Sequence, residues 1–121
     1  MASPHRIGVD DPDVDMDLAQ RLLCRDELFT GEVAEYQNGQ LVCLDDYVNG
    51  VRDGSSRAWY PDGTLKLEGT VRNGVALGEF KEWHANGVLK SRQMFDNYLY
   101  DLREESVWDE EGRLVRDWHR E

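Results

Sequence analysis

Four glycines fall at Gly39, Gly63, Gly87 and Gly112, spaced by 24, 24 and 25 residues. The leucine two places on recurs with each of them, as Leu41, Leu65, Leu89 and Leu114. Tyr47, Val71 and Phe95 keep the 24-residue step, as do Asn49, Asn73 and Asn97, and so does Gly54 with Gly78. Trp59 and Trp83 match, and Trp108 follows one residue late. Several independent positions in one register define an internal repeat, and a repeat of this length constrains the architecture more than any other feature of the chain.

Each unit has the logic of a β-hairpin. Trp59-Tyr60 is followed by Pro61-Asp62-Gly63, a turn whose glycine takes positive φ without steric cost. The other copies have Gln37-Asn38-Gly39, Ala85-Asn86-Gly87 and Glu110-Glu111-Gly112. After the turn, Leu65, Leu67, Gly69 and Val71 alternate with Thr64, Lys66, Glu68 and Thr70, the period of a strand with one dry face. A second turn, at Asn49-Gly50 or Asn73-Gly74, leads into the next unit. The pattern predicts an all-β fold: four tandem hairpins, about eight short strands, forming an elongated, twisted antiparallel meander over residues 28–121. Residues 1–27 read as an acidic leader. Its best helix candidate, Asp15 to Leu23, is too short to cover the sheet and serves equally as an extra strand that begins the meander. The fourth unit is irregular, with Tyr98 where glycine is expected and Leu102 in place of the glycine of Gly54 and Gly78.

The chain has 25 acidic and 14 basic residues among 121, a net charge of −11. That balance repels nucleic-acid phosphates and anionic lipid surfaces, so neither nucleic acid nor membrane is expected as a partner. A mean hydropathy of −0.70 argues for a thin sheet in which aromatic rings supply much of the dry area. No apolar run reaches membrane-spanning length, and the N-terminus lacks a basic segment leading into an apolar one. Cys24 and Cys43 have no metal-ligand spacing and suggest no disulfide framework. A reduced, cytoplasmic setting is the simplest expectation.

Catalytic constellations are hard to assemble from these residues. A calcium loop starting at Asp13 would need glycine at Leu18 and glutamate at Cys24, and fails at both. His84 occupies the repeat position of Tyr60, and His5 and His119 lie near the ends, with no zinc or triad spacing. Asp45-Asp46 and Glu104-Glu105 are neighbours that an acidic chain contains by composition. No enzyme activity and no cofactor are expected. The aromatic positions Trp59, Tyr60, Trp83, His84, Trp108 and Trp118 serve first as sheet-sealing rings. Some of them, rimmed by acids such as Asp45, Asp46, Asp62 and Glu82, also suit a protein interface.

The pattern G-x4-W-Y-x-(N/D)-G-x-L-x5-(V/F/Y)-x-N-G resembles the MORN-repeat variant of bacterial YwqK-like proteins, from about Leu28 onward, with Leu28-Phe29-Thr30-Gly31-Glu32-Val33 similar to the way such arrays open. The resemblance implies an antitoxin or immunity-type protein that binds and neutralises a partner, here expected to be a basic toxin. Positions where the copies differ, Tyr60 against His84, Leu67 against Ser91 and Gly69 against Gln93, are where a partner would be read. The candidate partner-binding set is therefore Asp45, Asp46, Tyr60, Asp62, Glu82, His84, Ser91 and Gln93. A different class of function is a structural module that self-assembles, with a homodimer through open sheet edges. Lipid binding, also associated with MORN-type repeats, sits poorly with the net charge.

Overall fold

A computed structural model describes residues 6–96 and 101–120. The expected features at His5, Asn97 and Tyr98 lie outside the described residues. Twelve strands are present among them: β1 (Arg6–Gly8), β2 (Val14–Met16), β3 (Leu22–Cys24), β4 (Glu27–Leu28), β5 (Gly31–Gln37), β6 (Gln40–Val48), β7 (Val51–Trp59), β8 (Leu65–Arg72), β9 (Val75–Trp83), β10 (Leu89–Phe95), β11 (Leu102–Trp108) and β12 (Leu114–His119). Strands β5 to β12 form the expected eight-stranded antiparallel meander. β1 adds to its first edge in parallel, pairing Ile7 with Val33. No helix occurs among the described residues, so none spans a membrane.

The stretch 15–23 is neither a helix nor the first strand of the meander. It runs from β2 through a turn into β3, and β2, β3 and β4 form a separate three-stranded sheet. Two short-range interactions hold that turn: the Asp17 carboxylate accepts from the Ala19 and Arg21 amides, at 3.0 and 2.8 Å.

The small sheet is the second layer of the fold at one end only. Leu22 of β3 and Phe29, just after β4, pack with Ile7 and Val33 into the buried core, with Val14, Cys24 and Tyr47 around them. The joint between the layers is the Asn49-Gly50 turn. Gly50 N donates to Phe29 O at 2.8 Å, and Leu22 N donates to Gly50 O at 2.7 Å. A Cβ at Gly50 would stand 2.8 Å from Leu22 O, so only glycine lets the two backbones approach this closely.

The repeat glycines make turns of two kinds. Asn38-Gly39, Asn49-Gly50 and Asn73-Gly74 have positive φ at both residues, the two-residue type I′ turn that matches strand twist. Gly63, Gly87 and Gly112 are the single positive-φ residues of longer turns. In each of these an i to i+3 bond, such as Gly63 N to Tyr60 O at 2.9 Å, lies inside a wider bond, such as Tyr60 N to Thr64 O at 2.8 Å. The register then slips by one residue on the following strand, as in a bulged hairpin. The Gly39 hairpin has the same slip, between Glu35 and Tyr36, but closes on a two-residue turn, so Gly39 keeps the spacing of its counterparts but not their turn.

Candidate functional site

Strand register sorts the side chains into rows. On one face, successive partners run Ile7, Val33, Asp45, Ser56 and Gly69, and from Phe80 through Gln93 and Glu105 to Trp118. The two segments join where the Phe80 ring lies over Gly69: a Cβ there would meet ring atoms at 2.5 Å. Beside this row lies a second: Glu35, Cys43, Ala58, Leu67, Glu82, Ser91, Val107, Arg116. The small sheet covers the first-named end of this face through the Ile7–Val33 core. Over β9 to β12 the same face has no second layer among the described residues.

Four of the eight candidate binding residues, Asp45, Glu82, Ser91 and Gln93, share this face. Asp46 alternates to the opposite face, where its carboxylate accepts from Ser55 N at 3.0 Å and braces the strand beside Gly54. Tyr60, Asp62 and His84 sit in the bulged turns at the ends of the strands. Their polar atoms serve the fold. The Tyr60 hydroxyl donates to Trp83 O at 2.7 Å, and His84 Nε2 donates to Trp108 O at 2.9 Å. Each ring thereby joins its own unit to the next. Since a carbonyl only accepts, the His84 proton in this contact resides on Nε2. Asn86 adds a bond across the same joint, from Nδ2 to Glu110 O at 2.9 Å. The Asp62 carboxylate accepts from Thr64 N at 2.9 Å, which closes its turn and lowers its pKa below the ordinary value.

On the shared face, Asp45 accepts from Ser56 at 2.6 Å and from Arg52 at 3.2 Å. Gln93 donates to Glu105 at 2.7 Å, and Arg116 approaches the other oxygen of Glu105 at 3.4 Å. Glu82 and Ser91 differ from these. They are directly opposite each other and half-buried, flanked in their row by Leu67 and Val107. Neither makes a side-chain hydrogen bond or ion pair among the described residues. A carboxylate so placed keeps its acceptor capacity for water or an incoming donor.

Cys43 stands in the same row, where partial burial raises its thiol pKa first and Glu35 and Asp45 raise it further. No cluster of metal-ligating side chains occurs among the described residues. The repeat tryptophans Trp59, Trp83 and Trp108 are half-buried at strand ends, and Leu41, Leu65 and Leu89 are half-buried with them, whereas Leu114 is exposed. A groove of about 620 Å3 lies on the opposite face along Arg57, Glu68 and Lys81. There the charges alternate, and Glu79 pairs with both Lys81 and Arg92. The charges along this groove are thus largely paired within the fold.

The MORN repeat variant family model matches residues 52–73 and 76–97. The two matches are adjacent copies, and each spans one bulged hairpin, β7–β8 and β9–β10. No curated protein and no solved structure matches the chain. Together, the fold and the repeat match describe a repeat-based binding or structural module.

Proposed function

We propose that the chain is a non-catalytic, cytoplasmic protein-binding module of the antitoxin or immunity type, which neutralises a basic toxin by occluding it. The observation that carries this reading is the unpartnered Glu82, half-buried opposite Ser91 on the uncovered part of the sheet. A Lys or Arg from the partner completes that site with a charge-assisted bond, and Ser91 supplies a further acceptor. Phe80 and Phe95, in edge-to-face contact with centroids 5.9 Å apart, offer apolar area nearby. The net charge of −11 speeds capture of a basic protein from solution. Occlusion needs no cofactor and no chemistry on the binder's side.

Affinity capture from the native host tests the reading. A basic protein is expected at one-to-one stoichiometry, with Glu82→Lys weakening its binding by roughly tenfold or more. Capture of no stoichiometric partner, or full affinity in the Glu82→Lys variant, sinks it.

A further inference from the structure

The last strand of the sheet, β12, is paired on one side only among the described residues. All six of its residues are exposed, with Leu114, Val115 and Trp118 at 56%, 65% and 38%. Arg120 N donates to Arg103 O at 2.7 Å, which fixes the alternation of the strand. Arg116 and Trp118 turn their backbone groups toward β11, and Asp117 and His119 turn theirs outward. An apolar edge with outward donors and acceptors accepts another strand. The question is whose.

A second copy of the chain is the first candidate, and the charges of β12 oppose it. A two-fold axis through an antiparallel seam maps each sheet face onto itself. Only registers centred on a residue are then allowed. Centring on Arg116 sets Arg116 against Arg116, and centring on Asp117 sets Asp117 against Asp117. Centring on Trp118 sets Arg116 against Arg120. The two registers of longest overlap, those centred on Arg116 and Asp117, thus place like charges directly opposite, which destabilises a strand pair. The one arrangement that would match Arg116 with Asp117 is the offset that symmetry forbids.

We infer that the β12 edge receives an extended segment of a different, basic protein, added as a further strand. The inference rests on the reading of the chain as a protein-binding module and assigns it a second contact. The chemistry of the segment follows from the two faces of β12. Trp118 shares a face with Arg116, which Glu105 already holds at 3.4 Å, so an apolar residue fits there. On the other face stands Asp117, which accepts from Ser106 at 3.0 Å and keeps its second oxygen for a cation. A strand alternating apolar and basic residues satisfies both faces, with main-chain bonds at Asp117 and His119.

The probe is a synthetic eight-residue peptide of alternating valine and lysine, blocked at both ends, added to the intact chain. Amide exchange of Asp117 and His119 is expected to slow several-fold, while the matching valine–glutamate peptide leaves it unchanged. His119→Pro removes an outward N–H and leaves the β11 ladder intact, and is expected to weaken the valine–lysine peptide by roughly tenfold. Unchanged exchange at both amides, equal protection by the acidic peptide, or self-association of the wild-type chain with the same two amides protected would overturn the inference. None of these readouts depends on Glu82, so failure here is distinguishable from failure to capture a partner on the open face.

Discussion

The two ends of the sheet are built from the same kind of strand and held in different ways. At the β1–β5–β6 end a second layer buries Ile7, Leu22, Phe29 and Val33. At the β9–β12 end the corresponding face is a single layer, and its rows carry Glu82, Ser91, Gln93 and Glu105 in place of apolar side chains. Stability at the first end comes from burial. At the second it comes from strand pairing, turn chemistry and ring-to-carbonyl joints between units. The difference teaches where recognition belongs: a covered face must be dry, whereas an open one is free to hold unsatisfied polar groups for a partner.

The largest test of this contrast is Phe29→Ala. Phe29 is 2% exposed, so the loss is expected to be about 3–5 kcal/mol in urea unfolding. Phe95→Ala, at a half-buried ring of the single layer, is expected to cost about 1–2 kcal/mol. Equal losses would erase the distinction between the two ends.

Gly69→Ala comes next. It sits midway, and its new methyl displaces the Phe80 ring, at an expected cost of about 1–3 kcal/mol. The double variant with Phe80→Ala should recover part of that loss. An additive result would separate the glycine from the ring.

Tyr60→Phe removes one inter-unit bond from a half-buried site and is expected to cost about 1 kcal/mol. Amide exchange in that variant should quicken around Trp83 while the protection of β5 is unchanged. Uniform quickening would mean that the whole sheet opens as one unit.

The smallest effect is the acid response. Asp109 is held below its ordinary pKa, first by the Arg113 amide, and Asp17 likewise by the Arg21 amide. A depressed carboxylate contributes stability that is fully present above the unfolded value of 3.8 and is lost as pH falls through the lower folded value. Asp109→Asn is expected to flatten the acid limb of a thermal-stability profile below about pH 4. An unchanged limb would show that the turn carboxylate has no weight in folding.

The eight strands of the meander were legible because glycine and leucine recur in one register, a signal that needs no tertiary information. The small sheet was not. Its strands are two or three residues long, too short for alternation to show, and Leu22 and Phe29 are buried only because Ile7 and Val33 arrive from other parts of the chain. The two turn geometries were hidden for a related reason: Asn38-Gly39 and Asn86-Gly87 are the same dipeptide, yet only Asn38 takes positive φ. For the candidate site, alternation along the second strand of each unit put Asp45, Ser91 and Gln93 on one face, and only the strand register adds Glu82. Residue type alone did not show that the polar atoms of Tyr60, Asp62 and His84 meet main-chain groups. The step of 23 or 24 residues from each ring to its acceptor was the signal that would have found them.

The acceptors of those rings are main-chain carbonyls, present whatever residue stands there. A ring with a donor, tyrosine or histidine, therefore suffices on one side, and nothing in particular is required on the other. A hairpin copied whole into such a chain brings its own fastening and finds a receptor already waiting. Arrays of this kind can grow or shorten by one unit without co-ordinated change in the neighbours, while the exposed rows of each new unit are left free to diverge.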